Sequence, residues 1–542
     1  MIKGFIFGGM IAMSIIAAAV ELPPAAELEK MARQDAMNPI APGKLGKNGA
    51  PFWNIYARRF IYVPSFDFTA FPGVKKYRFT VCDANNKVHT FTADRPDAPL
   101  TAVWDALPVG FTTVSVDALD DKGVVVDNSG VRKFYRAAPF AGNYAPAVRD
   151  YRESARWALK YVFEQQHIQD WRKTGKPSRS YQLYCYPSKI IGSVVGGMIT
   201  YAQLNEKDRE AALDIAVKAA DYLIKISDPA GSPLEYMPPT YMWNERTSKE
   251  YANQNMMIYP CNVGEVYLRL YKEIKVTRYR EAAIRIAETY CKTQQPNGSW
   301  YLKIHQKTGE PVMGRNDKGE LNTTPNYCMP VAIANFLTAV ADESGEEKYR
   351  EAAKRAIDYI RKTVLPAFNW EGQFEDQVPR SPYFNNTKHT AASFAQYLLG
   401  QKKCTKKDLE TARTLLRFAE DQFVVWEKQM PRYPIFMSHS TQWLTPCVLE
   451  QYSYYVPIDS SAATLLNFYV AMHKKSRNPL DLAKAKALAD AITRGQDQET
   501  GRYMTYWENN ERGKLSGWIN CAMHTAYAMM NFSDYLDSLD KK

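Results

Sequence analysis

Tyr279-Arg280-Glu281-Ala282-Ala283 returns 70 residues later as Tyr349-Arg350-Glu351-Ala352-Ala353, and related copies stand upstream at Tyr151-Arg152-Glu153-Ser154-Ala155 and Asp208-Arg209-Glu210-Ala211-Ala212. Such a return is the mark of a repeat architecture, in which one unit cannot bury its apolar face alone and stacks on the next. Around each copy apolar residues recur at i, i+3, i+4 and i+7 with charges opposite, which predicts an amphipathic helix. Weaker relatives begin near Asp408 and Leu480, making six.

Between these lie helices of a second kind, poor in charge and rich in small apolar residues, such as Val331-Ala332-Ile333-Ala334-Asn335-Phe336-Leu337 and Ala462-Ala463-Thr464-Leu465-Leu466-Asn467-Phe468. A helix apolar nearly all round is predicted to be buried. Their starts repeat as well. Tyr186-Pro187, Tyr259-Pro260, Tyr327-Cys328-Met329-Pro330 and Tyr455-Val456-Pro457 each set proline near the first turn, where its missing N–H costs nothing. The fourth and sixth counterparts begin near His389 and Trp518. Six outer helices alternating with six inner ones predict a mainly α chain whose residues 145–540 close as an (α/α)6 toroid. An open helical solenoid is the competing arrangement, disfavoured because no polar capping repeat is evident.

Upstream the period changes to short alternating runs, among them Lys76-Tyr77-Arg78-Phe79-Thr80-Val81 and Thr112-Thr113-Val114-Ser115-Val116, separated by turn residues. They predict a small β-sandwich over residues 51–140. Its Leu107-Pro108-Val109-Gly110 turn resembles that of an immunoglobulin-like or fibronectin-like module. Residues 1–19, with Lys3, an apolar run and Ala17-Ala18-Ala19, read as a cleaved secretory signal peptide, and 20–50 as a leader or linker. The expected location is the periplasm or the exterior, with no membrane span in the mature chain.

The 542 residues are 46% hydrophobic and 23% charged, ordinary globular values that exclude wholesale disorder. The net charge of +11 favours anionic ligands. No Lys/Arg run or nucleic-acid signature accompanies it, so nucleic acid is not the expected partner and an acidic glycan fits better. The eight cysteines are scattered singly, without zinc-ligand spacing, and no disulfide is predicted. GxGxxG, P-loop, HExxH and GxSxG motifs are missing in any suitable context, as is an acidic calcium loop, so neither cofactor nor metal is expected.

Segments leading from an outer to an inner helix are long and aromatic, as at Asn297-Gly298-Ser299-Trp300-Tyr301 and Gly501-Arg502-Tyr503, whereas the reverse connections are short. The long loops therefore gather on one face, around the N-termini of the inner helices, where function concentrates. The paired-helix repeat, these Gly-aromatic loops, the apolar leader and the β-module together resemble the (α/α)6-toroid glycoside hydrolases and polysaccharide lyases of bacterial glycan utilisation. The resemblance implies a carbohydrate-active enzyme with its cleft at the mouth of the ring. It also implies Asp or Glu as acid and base in a hydrolase, or Tyr or His as base in a lyase with Arg or Asn holding the carboxylate.

Glycoside hydrolysis needs a carboxylic acid beside the glycosidic oxygen and a second carboxylate as base or nucleophile. Asp376 is the candidate acid and Asp459, at the head of an otherwise uncharged inner helix, the candidate partner, with Glu375 and Glu235 as further carboxylates. His389 or Tyr327 would be the base of a lyase, and His439 and His524 lie on the same predicted face. Trp243, Trp300, Trp443, Trp518, Tyr236 and Tyr259 are candidates to stack on sugar. Arg246 and Lys388 are the cations to set against a uronate carboxylate. The expected function is a secreted glycoside hydrolase acting on an acidic, uronic-acid-containing glycan. The alternatives are a lyase eliminating at a uronate and a non-catalytic glycan-binding protein.

Overall fold

The computed structural model describes residues 22–40, 53, 57–242, 246–247, 249–315, 318–370, 375, 385–427, 443–451, 456–507 and 517–541. Its first helix is α1 (Ala25–Ala36), and a sheet region containing the short α2 (Thr101–Trp104) follows. The outer helices are α3 (Tyr151–Glu164), α6 (Arg209–Ile226), α8 (Thr277–Thr293), α10 (Glu347–Tyr359), α13 (Lys406–Phe423) and α15 (Pro479–Gly495). The inner ones are α5 (Pro187–Leu204), α7 (Pro260–Ile274), α9 (Val331–Ser344), α12 (His389–Gly400), α14 (Asp459–Ser476) and α16 (Ile519–Asp540). Two short pieces, α4 (Gln166–Thr174) and α11 (Leu365–Ala367), are appended to α3 and to the end of the α10 segment.

The inner helices touch in the order α5, α7, α9, α12, α14, α16, and α16 touches α5 again, so the ring closes and the open solenoid is excluded. Each of the first five packs against the outer helix that follows it, and α16 returns to α3. Close approach is built into the sequence. A Cβ on Gly197 would run into Met523 of the neighbouring inner helix, and one on Gly264 into Phe336. Glycine inside a helix costs about 0.5–1 kcal/mol relative to alanine, and here the packing offsets it. Proline occupies the first turn of α5 and α7, as the sequence predicts. A reciprocal capping box of Thr405 and Asp408 starts α13.

The N-terminal region departs from the β-sandwich reading. Its described residues form one five-stranded sheet, ordered β1 (Arg59–Phe60), β5 (Val125–Arg136), β4 (Gly110–Leu119), β2 (Lys76–Cys82), β3 (Val88–Ala93), with β1 parallel to β5 and the other pairs antiparallel. The alternation is that of a sheet with a single covered face: β2 turns Tyr77, Phe79 and Val81 inward, whereas Val88, Val125, Val126 and Val131 are exposed. Trp104 of α2 and Phe66, both outside the strands, pack on Phe134 of β5, and Phe66 also packs on Phe60 of β1.

Residues 25–36, read as leader, are the α1 helix, and this helix is seated on the toroid. Asp35 pairs with Arg417 at 2.7 Å, and Tyr62 donates to Asp35 at 3.0 Å and to Glu420 at 3.1 Å. The backbone N–H groups of Ile61 and Tyr62 both donate to Asp421, at 2.6 and 2.9 Å. Among the described residues no helix is long and apolar enough to cross a membrane, and residues 1–19 lie outside them.

Candidate active site

The ring encloses a cavity of about 960 Å³. It opens among the loops at the N-termini of the inner helices and runs inward along them. Seven of the predicted residues line it: Arg246, Tyr259, Tyr327, Glu375, His389, Trp518 and His524. They come from separate loops and helices, and only closure of the ring brings them together.

Glu375 is the best-anchored group at the mouth. Its side chain is 2% exposed, accepts from the Lys189 ammonium at 2.5 Å and from the Tyr259 hydroxyl at 2.5 Å. Its carbonyl accepts from Tyr241 at 2.7 Å and from Lys303 at 3.1 Å. Burial pushes the carboxyl upward, but the Lys189 charge and the two hydrogen bonds outweigh it and hold the group below the usual carboxylate range. Lys189 also lies 4.9 Å from the Trp518 ring centroid and the Arg246 guanidinium 5.3 Å from it, so one indole carries two cations.

Lower down, the Thr464 hydroxyl lies 3.1 Å from His524 Nε2 and 3.4 Å from His389 Nδ1. Burial drives both imidazoles down, His524 to about 4 and His389 well below its ordinary value, with Lys388 adding repulsion. Both are therefore neutral at pH 7.

Glu265 of α7 also lines the cavity, and the sequence reading missed it. Burial raises its carboxyl to about 7, against a smaller opposing pull from Arg269 one turn further on. Asn262, Glu265 and Arg269 stand on one helical face, at i, i+3 and i+7. Lys189, Glu265 and Arg269 are charges in inner helices, and a charge there, where apolar residues rule, was the signal available. Glu450 and Gln451 complete the rim.

The other predictions resolve differently. Asp459 is 1% exposed and stands behind the wall, not on the cavity; its N-terminal position on α14 turns it toward Thr525 and its own helix, with Oδ1 accepting from Ser460 N–H at 2.7 Å. Burial lifts its carboxyl to about 8, so it is protonated at neutral pH. Asp459 is therefore not a cavity-lining carboxylate. Lys388 is fully buried and is pushed down to about 7 by that burial; it spends its protons on the carbonyls of Leu449 and Glu450, at 2.5 and 2.8 Å, and on Ser461. It holds the Leu449–Glu450 segment and does not line the cavity. Trp300 is a core residue, donating to the Tyr290 carbonyl at 2.8 Å, and Trp443 is buried away from the cavity. Glu235 pairs with Lys292 on the outer side, and Tyr236 sits there beneath Arg285. Asp376, Trp243 and His439 lie outside the described residues.

No protein-family model matches the chain, and no curated protein matches it in sequence. Among solved structures it is similar to cellobiose 2-epimerase from Spirochaeta thermophila, with 13% identity, 72% of this chain and 98% of that one covered, and a TM-score of 0.49. A family 76 glycoside hydrolase from a bovine Bacteroides thetaiotaomicron strain gives 10%, 84% and 93%, and 0.42. An unsaturated glucuronyl hydrolase specific for heparin gives 10%, 72% and 100%, and 0.43. The closed ring stands on this chain's own helix contacts.

Proposed function

We propose that the chain is a carbohydrate-active enzyme, a glycoside hydrolase that works in the ring cavity on an acidic, uronate-bearing glycan, secreted to the periplasm or beyond. The observation that carries this reading is a pair of cavity carboxylates in opposite environments, Glu265 raised toward neutrality by burial and Glu375 held ionised by Lys189. Environments that drive two carboxyls apart are how one site supplies both an acid and a base. In this reading Glu265 gives its proton to the glycosidic oxygen as the bond to the anomeric carbon breaks. Water adds its oxygen to that carbon, and the proton it sheds passes to the ionised Glu375 carboxylate. Trp518 supplies a stacking face, and the cations beside it suit a uronate carboxylate.

The test is product mass from uronate-bearing oligosaccharides in oxygen-18 water. Hydrolysis places one heavy oxygen in the products, and the reading falls if none of the panel is cleaved with that label.

The two neutral histidines favour a second reading, elimination. An uncharged imidazole at His389 or His524 has a lone pair free to take the proton from the carbon next to a uronate carboxyl, with burial keeping it a weak base. The glycosidic bond then breaks, its oxygen gains a proton, and a carbon–carbon double bond remains. An ultraviolet-absorbing product without incorporated oxygen would select this chemistry over hydrolysis.

A further inference from the structure

The cavity extends well below its mouth. On α7 the lining runs from Tyr259 to Arg269, a span of about 15 Å at roughly 1.5 Å per helical residue. On α12 it runs from His389 to Gln396, on α14 from Ser460 to Asn467, and on α16 from Asn520 to Tyr527. The deepest group is built with care. Arg269 donates to Thr200 Oγ1 at 2.8 Å and to the Tyr527 hydroxyl at 3.2 Å, and Thr200 meets that hydroxyl at 3.2 Å. Gly196 makes room, since a Cβ there would come within 3.2 Å of Arg269 and 3.3 Å of Tyr527.

Glu265, one turn before Arg269 on α7, and the amides of Gln396 and Asn467 also line the cavity. None of these three side chains has a hydrogen-bond partner among the described residues. All three are half-buried and open to the cavity, and together with the fixed Arg269 guanidinium they offer the donors and acceptors that a polyhydroxylated ring requires.

Six helices in continuous contact surround this chamber. A polymer cannot be laid into it sideways. Whatever part of a glycan reaches Gln396 and Asn467 has come in by its own end. On that ground, and resting on the hydrolase reading above, we infer that the enzyme recognises chain ends: the terminal sugar sits between the His389–Thr464–His524 level and the Arg269–Tyr527 layer, its hydroxyls read by Gln396 and Asn467. Cleavage is then exo-acting, releasing a short product of fixed size. Glu265 lines α7 one turn nearer the mouth than Arg269, which sets the proposed acid toward the bond joining the terminal unit to the rest.

The experiment uses the full chain and uronate-containing hexasaccharides labelled at the reducing end, with products sized by mass at low conversion. One product size, with its complement of the remaining length, is expected from the first time points. A spread of internal fragments overturns chain-end recognition while leaving the hydrolase reading standing. Absence of any cleavage across the panel overturns the reading itself and this inference with it. Asn467→Leu and Gln396→Leu are each expected to raise KM about tenfold or more with kcat changed far less, since contacts to the terminal unit made equally in the ground and transition states are lost. Asn467→Ala serves if the leucine variant does not fold, as judged by circular dichroism. Folded variants with unchanged KM would remove these amides from recognition and overturn the assignment.

Discussion

At the residue scale the site is organised by what burial does to each ionisable group. Glu375 and Lys189 are a buried pair, and removing one member of such a pair strands the other, at a cost of about 3–5 kcal/mol. Glu375→Gln is therefore expected to lose most of that stability in chemical denaturation, and adding Lys189→Met to restore most of it. The depressed carboxyl contributes stability above its unfolded value of 4.5 and loses it as pH falls through the lowered folded value. Asp459 behaves in the opposite sense. Its folded value of about 8 lies above 3.8, so the folded state keeps a proton that the unfolded chain has released, and stability declines as pH rises between the two. Asp459→Asn should flatten that decline, read as melting temperature against pH. It should leave the pH dependence of turnover in place, because the side chain does not reach the cavity. Glu265→Gln should lower kcat by about 10²–10⁴-fold and abolish the fall of rate above pH 7 that deprotonation of the acid imposes.

At the element scale the sequence was legible wherever hydrophobic period and turn chemistry agreed. The Tyr-Arg-Glu-Ala-Ala copies and the first-turn prolines located the outer and inner helices, because both signals are local and their causes are steric. Residues whose role depends on rotation about the helix were harder. Trp300 follows the Gly298 turn in an aromatic loop and looks like a stacking platform, yet the chain folds it under Tyr290. Asp459 and Lys388 sit at the heads of inner helices, as ligand-binding groups do, but the helix phase turns them into the wall. Glu265 was overlooked because it lies beyond the helix start, where loop-based reasoning does not reach. Trp300→Ala should cost about 3–5 kcal/mol in unfolding free energy, as deletion of a buried indole does, with KM for any glycan substrate unchanged in whatever fraction folds.

At the scale of the whole molecule, ring closure turns six remote segments into one cavity, and the N-terminal region is fastened to the ring's outer side. The fastening is concentrated. Asp421 accepts two backbone N–H groups, from Ile61 and Tyr62, and Glu420 next to it accepts from the Tyr62 hydroxyl at 3.1 Å. The alternating strands announced a sheet, but nothing local in them told how its far side would be covered, since that depends on partners distant in sequence. Asp421→Ala orphans two buried donors at about 1–3 kcal/mol each and should split the unfolding curve, the N-terminal sheet melting before the toroid in calorimetry. A single unsplit transition with unchanged midpoint would show that these contacts do not hold the two regions together. Binding and cleavage of a glycan inside the ring are tested by a crystal structure of Glu265→Gln soaked with a uronate-bearing tetrasaccharide. Sugar density descending from Trp518 toward Arg269 is the predicted result; density confined to the sheet or the outer helices, with the cavity holding only water, would contradict it.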